Sequence, residues 1–512
     1  GRKSGGDPAA RMSVPFEAET FDVVVVGGGG AGLAAAAEAA RLGRSVVLVE
    51  KNPELGGSTS WSVGSITATN TPHQKKAGIQ DTPAEHFDDM QKHAGALAAR
   101  DNPGLRRILV DHTNDMLEWL MRLGVVFVGP MPEPPHRYHR MHNVVPNSRS
   151  FAYHLARHCR GLGVGIRVGI AARRLLTEGE RVVGVEAVDG AGRVRQFRAR
   201  GALVLASGDY SGGRELKAEF ASTDVAEVDA VNVTNTGDGH RMARELGAVV
   251  LNGDIVRGPI MRFVPPTEQS FLRRLPPWRP LAAAMAWGYE NLPQSWLRPF
   301  FMGFLTTALG ASPDLFKEGA ILVNRNGERY TDELDRPNLD TAKQPGRSAW
   351  IVFDHHVATK FSTWPHYVST APGVAYAYLD DYRRNRADIY HQAATVTELA
   401  RSIGVPEAAL ARTLDDYNAG GGARPALEAA PYYALGPVRS YIIFTDGGLQ
   451  VTERLEVVRA DGTVIPGLYA AGATGQGGLL LEGHGHHLGW AFISGRIAGR
   501  NAAFDVPPRM PT

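Results

Sequence analysis

Apolar positions near the N-terminus form a short β-branched run at residues 23–26, followed by four glycines and an alanine-rich tract. Such a run is typical of a buried parallel strand, and alanine is the strongest helix former. A second apolar run, SVVLVE, ends at Glu50. The pattern predicts a strand, a glycine turn, a helix and a second strand in succession, which is a βαβ unit.

Further strand and helix patterns follow in the second half of the chain. GAILVN and SAWIVFD predict strands, whereas TVTELARSIGV and EAALARTLDDYNAG predict helices, the second ending at glycines 420–422. The sequence contains no internal repeat and no long low-complexity tract. The order of elements predicts an α/β protein.

Residues 272–309 have the most unusual composition and hold three of the eight tryptophans, Trp278, Trp287 and Trp296. Proline and charge interrupt the apolar run before the roughly 20 residues that a bilayer requires, so we expect no transmembrane helix. Two interpretations remain open. The segment is a buried helical pair, within the domain or at a subunit contact, or it is an amphipathic lid that contacts a membrane or admits an apolar substrate.

Gly27, Gly29 and Gly32 fit the spacing G-x-G-x-x-G at the predicted turn. The first glycine permits a tight turn, the second lets backbone approach a pyrophosphate, and the third lets helix and strand pack closely. The helix N-terminus offers free N–H groups to the phosphates, and Glu50 is placed to hold a ribose hydroxyl. These features predict a dinucleotide site; the alternative is a glycine-rich turn without a ligand.

Gly56 and Gly57 form a second glycine turn, followed by the hydroxyls of Ser58 and Thr59, which suits a ligand longer than a pyrophosphate. The run KNPELGGSTSWSVGSI resembles the FAD-binding start of the fumarate reductase and succinate dehydrogenase flavoprotein superfamily, which includes the 3-ketosteroid dehydrogenases. Later segments resemble the same superfamily in the same order: ALVLASGDYSGG, NTGDGHRMARELGA, EGAILVNRNGERYTDE, VIPGLYAAGATGQGG and GHGHHLGWAFISGRIAG.

The resemblance implies a Rossmann-like α/β FAD-binding domain interrupted by a smaller α+β capping domain that binds substrate. The FAD-binding domain is expected at residues 21–255 and 436–505, and the capping domain, with the apolar segment 272–309, at residues 256–435. Residues 1–20 lack the apolar core of a signal peptide or membrane anchor. We expect them to be disordered or to derive from an expression vector.

The resemblance also implies that FAD is bound noncovalently, because GGSTSWSVGSI contains no histidine where respiratory members attach their flavin. The residues expected to hold FAD come from both segments of its domain. They are Gly27, Gly29, Ala31, Gly32, Glu50, Lys51, Gly57, Ser58, Thr59, Val63, Gly64, Ala172, Ser207, Gly208, Asp238, Gly472, Leu488 and Gly489.

The superfamily exchanges a hydride between flavin N5 and a substrate carbon near a carbonyl. In fumarate-type members one arginine delivers a proton and a second arginine clamps a carboxylate. Alignment on GAILVNR puts the first at Phe316, and alignment on the Leu488–Gly489 pair puts the second at His487. A histidine expected just before residues 447–448 is also absent. These departures argue against a small dicarboxylate substrate.

The ketosteroid dehydrogenase pattern has a tyrosine base after the cap signature, but DELDRPNLD offers Arg336 and no tyrosine. Tyr432, Tyr433 and Tyr441 are candidate carbonyl donors, although Tyr432 and Tyr433 could equally pack at the hinge between domains. We predict His487, Arg336, Tyr441 and Tyr433 as catalytic residues. For His487 the alternatives are a contact to the substrate oxygen, a proton relay, or a structural hydrogen bond.

Two further sets of residues are candidates for ligand binding. Arg257 and Arg262, in DIVRGPIMRF, either contact an anion or form interdomain ion pairs. His484, His486 and His487 are closely spaced, but a zinc site needs a third or fourth ligand at defined spacing and a glycine-rich loop is a poor platform. No metal site is therefore expected.

Composition places few further limits on function. The 512 residues, 43% hydrophobic and 21% charged, suffice for two domains, and a net charge of +2 predicts no nucleic-acid partner. The single cysteine, Cys159, excludes an intramolecular disulfide and a redox dithiol and favours a cytoplasmic setting. The expected partners are a small-molecule substrate and an external electron donor or acceptor, with peripheral membrane contact through residues 272–309 left open.

These inferences predict an FAD-dependent oxidoreductase that dehydrogenates or reduces a carbon–carbon bond next to a carbonyl. Its substrate is expected to be more apolar than fumarate, ketosteroid-like or similar. The sequence has one dinucleotide fingerprint, so electrons are exchanged with oxygen, a quinone or a separate carrier. The alternatives are a flavin-binding protein without turnover, or a fumarate reductase-type enzyme that acts on an unusual carboxylate.

Overall fold

The computed structural model describes residues 17–508. In this range the strands are β1 Glu17–Val26, β2 Val46–Glu50, β3 Ser65–Thr67, β4 Val126–Met131, β5 Met141–Val145, β6 Gly165–Val168, β7 Ile170–Glu178, β8 Arg181–Asp189, β9 Val194–Leu205, β10 Asp229–Ala230, β11 Val250–Leu251, β12 Val256–Arg257, β13 Ile260–Phe263, β14 Gly310–Ala311, β15 Ile321–Val323, β16 Ala349–Asp354, β17 Ser369–Ala371, β18 Ala375–Ala377, β19 Tyr390–Ala393, β20 Tyr432–Ile442, β21 Phe444–Thr445, β22 Gly448–Leu449, β23 Glu456–Val458 and β24 Val464–Ala470.

The helices in the same range are α1 Gly30–Arg41, α2 Gly57–Trp61, α3 Pro72–Lys76, α4 Pro83–Ala94, α5 Pro103–Leu123, α6 Arg149–Gly161, α7 Arg214–Phe220, α8 Thr223–Ala226, α9 Asp238–Arg244, α10 Phe271–Arg274, α11 Arg279–Asn291, α12 Gln294–Ala308, α13 Asp314–Lys317, α14 Pro337–Ala342, α15 His355–Lys360, α16 Leu379–Asn385, α17 Val396–Ile403, α18 Glu407–Ala419 and α19 His486–Phe504. Two short 3-10 helices span Gly95–Arg100 and Pro345–Arg347.

The main sheet has eight strands, with the order β23-β24-β9-β1-β2-β6 and with β8 joining β9 to β7. Strand β1 pairs in parallel with β2 and β9, so that Val23 lies opposite Val46 and Ala202. Residues 23–26 are buried, as expected for a parallel strand covered on both faces. The predicted α/β fold is confirmed.

The N-terminal boundary of the fold differs from the prediction. Residues 17–20 were expected to be disordered, but they begin β1 and pair with β9, with Glu17 opposite Arg195. Glu19 forms an ion pair with Arg167 at 2.7 Å, which adds to the main-chain pairing. The backbone hydrogen bonds of the parallel ladder therefore extend the strand beyond its apolar part. Residues 1–16 lie outside the described residues.

A second core lies between residues 261 and 438 and surrounds a sheet of six strands. The sheet has the order β10-β20-β16-β15, and β13 and β19 also pair with β20. The predicted strands GAILVN and SAWIVFD contain β15 and β16, which pair antiparallel, and the two predicted helices are α17 and α18. The second core contributes residues to one end of the cleft at the main sheet, which is described below.

Helices α1 and α19 pack with their backbones in close contact. A Cβ atom placed on Gly495 would lie 2.3 Å from the Ala31 carbonyl oxygen, and one on Gly499 would lie 2.2 Å from that of Ala35. Such distances exclude any side chain at the two glycines, and only small residues face them from α1. The contact joins the first helix of the fold to the last.

The single cysteine lies on α6 in the main core. Cys159 is fully buried, and its thiol donates a hydrogen bond of 3.4 Å to the carbonyl oxygen of Leu33 on α1. Burial raises the pKa of the Cys159 thiol to about 12. The side chain therefore packs α6 against α1 as an uncharged group.

The segment 272–309 is not a pair of helices buried within the chain. It folds into α10, α11 and α12, and Trp278, Trp287 and Trp296 have exposed fractions of 59%, 62% and 66%. Among residues 17–508, no helix is long and apolar enough to cross a membrane. Because α11 and α12 also line the cleft, we call them the lid helices.

We predict that Gly499→Ala destabilises the protein, because its Cβ would overlap the α1 backbone. Overpacking of this kind typically costs about 1–3 kcal/mol of unfolding free energy. The control is Gly161→Ala at the end of α6, where a Cβ would meet nothing within 4 Å. That change should be neutral or stabilise by up to about 1 kcal/mol. Chemical denaturation measures both, and equal effects would contradict the close helix contact.

Candidate active site

A large cleft with a volume of about 1680 Å³ extends from the main sheet to the lid helices. At one end it is lined by residues at or just after the carboxyl ends of β1, β2, β9 and β24, namely Val26, Glu50, Ala206 and Ala471. At the other end it is lined by apolar side chains of the lid helices. Open α/β sheets bind ligands at the carboxyl ends of their strands.

The first glycine turn has the geometry that its spacing predicts. Gly27 has φ +111°, and its N–H donates a hydrogen bond of 2.9 Å to the Val49 carbonyl oxygen. A Cβ on Gly32 would lie 1.8 Å from the Gly27 oxygen, so Gly32 serves packing and does not line the cleft. A Cβ on Gly29 would meet only the Gly56 oxygen, at 3.6 Å. The backbone is therefore open to a ligand at Gly29, at the N-terminus of α1.

Glu50 lies where a ribose-binding carboxylate is expected. It is buried at the end of β2, and its two oxygens accept hydrogen bonds from the N–H groups of Gly28, at 2.6 Å, and Asn52, at 2.9 Å. The Gly30 N–H donates to Thr59 Oγ1 at 3.2 Å, which joins the second glycine turn to the first. These bonds hold the carboxylate and both turns on one wall of the cleft.

Lys51 and Asp238 line the cleft and form an ion pair at 2.9 Å. Lys51 also donates to Thr236 Oγ1 at 3.0 Å. Burial alone would raise the pKa of Asp238, but the hydrogen bond and charge of Lys51 outweigh burial and lower it. The T-G-D-G segment is thereby fixed beside the end of β2.

Most of the predicted cofactor residues line this one cleft. They are Gly27, Gly29, Ala31, Glu50, Lys51, Gly57, Ser58, Thr59, Val63, Gly64, Ala172, Ser207, Gly208, Asp238, Gly472 and Leu488. Gly489 does not, because the helical turn of α19 directs it to Leu109 and Met116 of α5, from which a Cβ would be 3.7 Å away. A contact between Gly489 and FAD therefore stays a prediction without support from the cleft lining.

Two asparagines of the cleft were missed by the sequence analysis. Asn232 and Asn235 donate hydrogen bonds of 2.9 and 2.8 Å to Ser58 Oγ, and both line the cleft. Asn235 also donates to the buried Asp209 at 3.0 Å. Their position directly before T-G-D-G was the available signal, because residues flanking a ligand turn share its surroundings.

His487 lies at the start of α19 and lines the cleft. Its ring centroid is 3.9 Å from that of Phe444, and its Nε2 has no hydrogen-bond partner among the described residues. Burial lowers the pKa of His487 to about 4. The charge of Asp446 acts to raise this pKa, and the charge of Arg257 acts to lower it further. The imidazole is therefore neutral at pH 7 and can donate one hydrogen bond into the cleft.

Arg257 and Arg262, which could each contact an anion or form an ion pair, differ in their contacts. The Arg257 guanidinium is paired with Asp446, at 2.5 Å, and with Glu482. The Arg262 side chain lines the cleft and makes no hydrogen bond or ion pair with any residue in the range 17–508. Burial lowers the pKa of Arg262 and raises that of Tyr441, which also lines the cleft. Arg262 is thus the arginine left for a ligand.

Three other positions lie outside the cleft lining. Tyr433, at the opposite end of β20 from Tyr441, stacks on Phe353 with centroids 5.5 Å apart, so it is a packing residue. Arg336 precedes α14 and is exposed. The structure does not place either residue among the groups that meet in the cleft. Phe316, which stands at the position aligned with the proton-delivering arginine, is buried in the second core.

The fold and the glycine-lined cleft define a dinucleotide-binding α/β protein. Comparison with known families identifies the dinucleotide: the chain belongs to the family described as "FAD binding domain", whose model matches residues 22–261 and 283–480. FAD is therefore its cofactor, and the glycine turns and Glu50 are the residues that fit its pyrophosphate and ribose. The chain is an FAD-dependent oxidoreductase of the fumarate reductase and succinate dehydrogenase superfamily, as the resemblance implied.

Individual relatives support this assignment. The chain is 27% identical to the probable fumarate reductase Ifc3 of Shewanella frigidimarina (strain NCIMB 400), over 95% of this chain and 75% of that protein. The open conformation of a flavocytochrome c3 fumarate reductase is similar with a TM-score of 0.70 and 26% identity, covering 95% and 79% of the two chains. A 3-ketosteroid-Δ4-(5α)-dehydrogenase from Rhodococcus jostii RHA1 shares the fold, with a TM-score of 0.58, 24% identity and coverage of 96% and 99%.

We predict that Gly29→Val prevents FAD binding without preventing folding. The valine would project into the space where the pyrophosphate lies, whereas the protein itself leaves room for a Cβ there. The purified variant should lack visible flavin absorbance and keep the far-ultraviolet circular dichroism of the wild type. Acid precipitation of the wild type should release FAD into solution, as expected for a noncovalent cofactor. Normal flavin content in the variant would contradict this assignment.

Proposed function

We propose that the protein reduces, or forms by dehydrogenation, a carbon–carbon double bond conjugated to a carbonyl or carboxylate on a substrate with an apolar body. The observation that carries the proposal is the composition of one cleft, which joins the FAD turns to Arg262, Tyr441 and His487 and then to the lid helices. Bound FAD would supply hydride exchange at N5. The fumarate reductases among its relatives act, by their names, on a compound with a double bond conjugated to carboxylates.

Arg262 is the proposed anchor for the substrate oxygen. A guanidinium that is buried without an acidic partner is costly, and a carboxylate or polarised carbonyl would offset that cost. Tyr441, which also lines the cleft, offers a second donor. Together the two side chains would orient the conjugated bond and stabilise the negative charge that develops on its oxygen.

His487 is the proposed third donor. Its neutral imidazole can donate to the same developing charge without bringing a second positive charge into the cleft. The Phe444 ring, tilted by 50° relative to the imidazole, packs against it and restricts its orientation. This role is a contact with the substrate oxygen, which is one of the alternatives that the sequence left open.

The lid helices favour an apolar substrate over fumarate. Among the side chains lining the cleft are Leu281, Met285, Phe301, Phe304 and Leu305. Fumarate carries two carboxylates, and the second would lie against these apolar groups without a partner, which is unfavourable. Of the other cleft arginines, Arg257 and Arg298 pair with acidic side chains, and Arg273 donates a hydrogen bond to the Ser60 carbonyl oxygen.

Anaerobic flavin reoxidation tests the proposal. Photoreduced protein is mixed with cinnamate, with a 4-ene-3-keto steroid or with fumarate, and oxidised protein is mixed with the saturated parents of the first two. We expect cinnamate or the steroid to reoxidise the flavin faster than fumarate does. Fastest reoxidation by fumarate would contradict the apolar substrate, and no change with any compound would favour a flavin-binding protein without turnover. Free reduced FAD is the control.

Arg262→Met should lower kcat/KM with the substrate found by that screen by about 10- to 100-fold, the value of a hydrogen bond to a charged group. The free energy of unfolding should not fall, because the variant removes a half-buried cation without an acidic partner. The control is Arg329→Met, outside the cleft lining, which breaks the ion pair with buried Glu333. It should lower stability and leave kcat/KM unchanged. The reverse pattern would assign Arg262 a structural role.

A further inference from the structure

A cluster of buried imidazoles lies behind the loop that leads into α19. We define the histidine cluster as His86 and His93 from α4, His136 from the loop 132–140, and His486, the first residue of α19, together with Glu133. None of these residues lines the FAD cleft. The histidines at positions 484, 486 and 487 do not suffice for a metal site by themselves, but the fold brings three further histidines to His486.

The cluster is compact enough for its side chains to share one ligand. The Nε2 atoms of His86 and His486 are 2.9 Å apart, and the rings of His93 and His136 have centroids 4.4 Å apart. Potential ligand atoms of His86, His136 and His486 all lie within 4.8 Å of one another, as do those of His93, Glu133 and His136. His136 belongs to both sets and therefore lies at the centre.

Several nitrogens of the cluster lack a hydrogen-bond partner. Within residues 17–508, His86 Nδ1, His93 Nε2 and His136 Nε2 are buried and make no hydrogen bond. Burial and the neighbouring histidines lower the pKa of His136 to about 2. Burial is also the main cause, followed by the charge of His93, that lowers the pKa of His486 to about 3. The rings are therefore neutral, which is the form that binds metal ions. Buried polar atoms without partners require an explanation such as a bound ion or water.

We propose that the histidine cluster binds one zinc-class divalent metal ion through Nε2 of His86, His136 and His486, with His93 or Glu133 as the fourth ligand. Imidazole nitrogen is a preferred donor for such ions, and four ligands around one ion is the usual number in structural zinc sites. The ligands come from a helix, a loop and the start of a second helix, so the ion would fasten three segments together.

The surrounding contacts are compatible with ligation. His486 Nδ1 is hydrogen-bonded to the Glu482 carbonyl oxygen, which leaves its Nε2 as the bare nitrogen, and contacts of this kind fix metal-ligating tautomers. His136 Nδ1 accepts from Arg140 at 2.9 Å, so ligation through Nε2 requires the ring proton to move to Nδ1. The protonated Nδ1 would then face an Arg140 N–H, so ligation also requires Arg140 to shift from His136 toward Asp89, to which it already donates at 2.6 Å.

The site has a consequence for the cleft next to it. His486 belongs to the cluster, and the next residue, His487, lines the cleft. An ion at His486 would therefore fix the first turn of α19 and with it the direction of His487. The proposal does not depend on the reaction proposed above, since it concerns a separate set of side chains.

Zinc binding by tag-free FAD-loaded protein tests the proposal. The protein is dialysed against a chelator and then titrated with Zn²⁺ in competition with a fluorescent zinc indicator. We expect one Zn²⁺ per chain and a higher thermal unfolding temperature when it is bound. The same protein loaded with Co²⁺ should show the visible absorption of a four-coordinate site with nitrogen ligands. Absence of stoichiometric zinc binding by the wild type would overturn the proposal in favour of bound water.

Variants locate the site. His86→Ala and, separately, His93→Gln are compared with His112→Ala, an exposed histidine on α5 whose Nδ1 is hydrogen-bonded to the Ile108 carbonyl oxygen. His86→Ala should weaken zinc binding by about 100-fold or more, whereas His112→Ala should bind as the wild type does. Flavin content verifies that each variant is folded. Equal zinc affinity of His86→Ala and the wild type would overturn the assignment, and so would loss of affinity in His112→Ala alone.

Discussion

The backbone contact between α1 and α19 is the constraint on which the rest of the structure depends. It joins α1, which begins at the first glycine turn, to α19, which begins at His486. Gly495 and Gly499 make the approach possible, and the Gly472 N–H donates to Ser494 Oγ at 2.8 Å, which ties the loop after β24 to the same helix. One cleft can therefore be built from residues that are more than 400 positions apart in the sequence.

The glycine turns and Glu50 could be predicted from the sequence because their roles are local. A tight turn that leads into a helix requires bare backbone at fixed spacing, whatever the rest of the chain does. The fold class followed from the same unit and from the ordered segments of the superfamily. The sequence could not separate Leu488 from Gly489, because adjacent helical residues point in different directions, and only the packing of α19 shows that Leu488 lines the cleft while Gly489 faces α5.

The substrate end was harder to predict because its properties depend on distant partners. Arg257 and Arg262 are five residues apart and look alike in the sequence, yet only Arg257 meets Asp446 and Glu482. Tyr433 and Tyr441 share β20 but lie at opposite ends of it. The histidine cluster is a similar case, since its members come from three separate parts of the chain and no local spacing in the sequence indicates that they meet.

Because Cys159 is buried, its rate of alkylation can report how often the surrounding helices separate. Its thiol lies between α6 and α1, fully shielded and held protonated by burial. A reagent that alkylates thiolates has no other cysteine to attack, so its rate of reaction reports how often these two helices separate. Because α1 carries the phosphate-binding turn at its N-terminus, protection of this one sulfur by added FAD would measure how strongly the cofactor couples to the packing of the core.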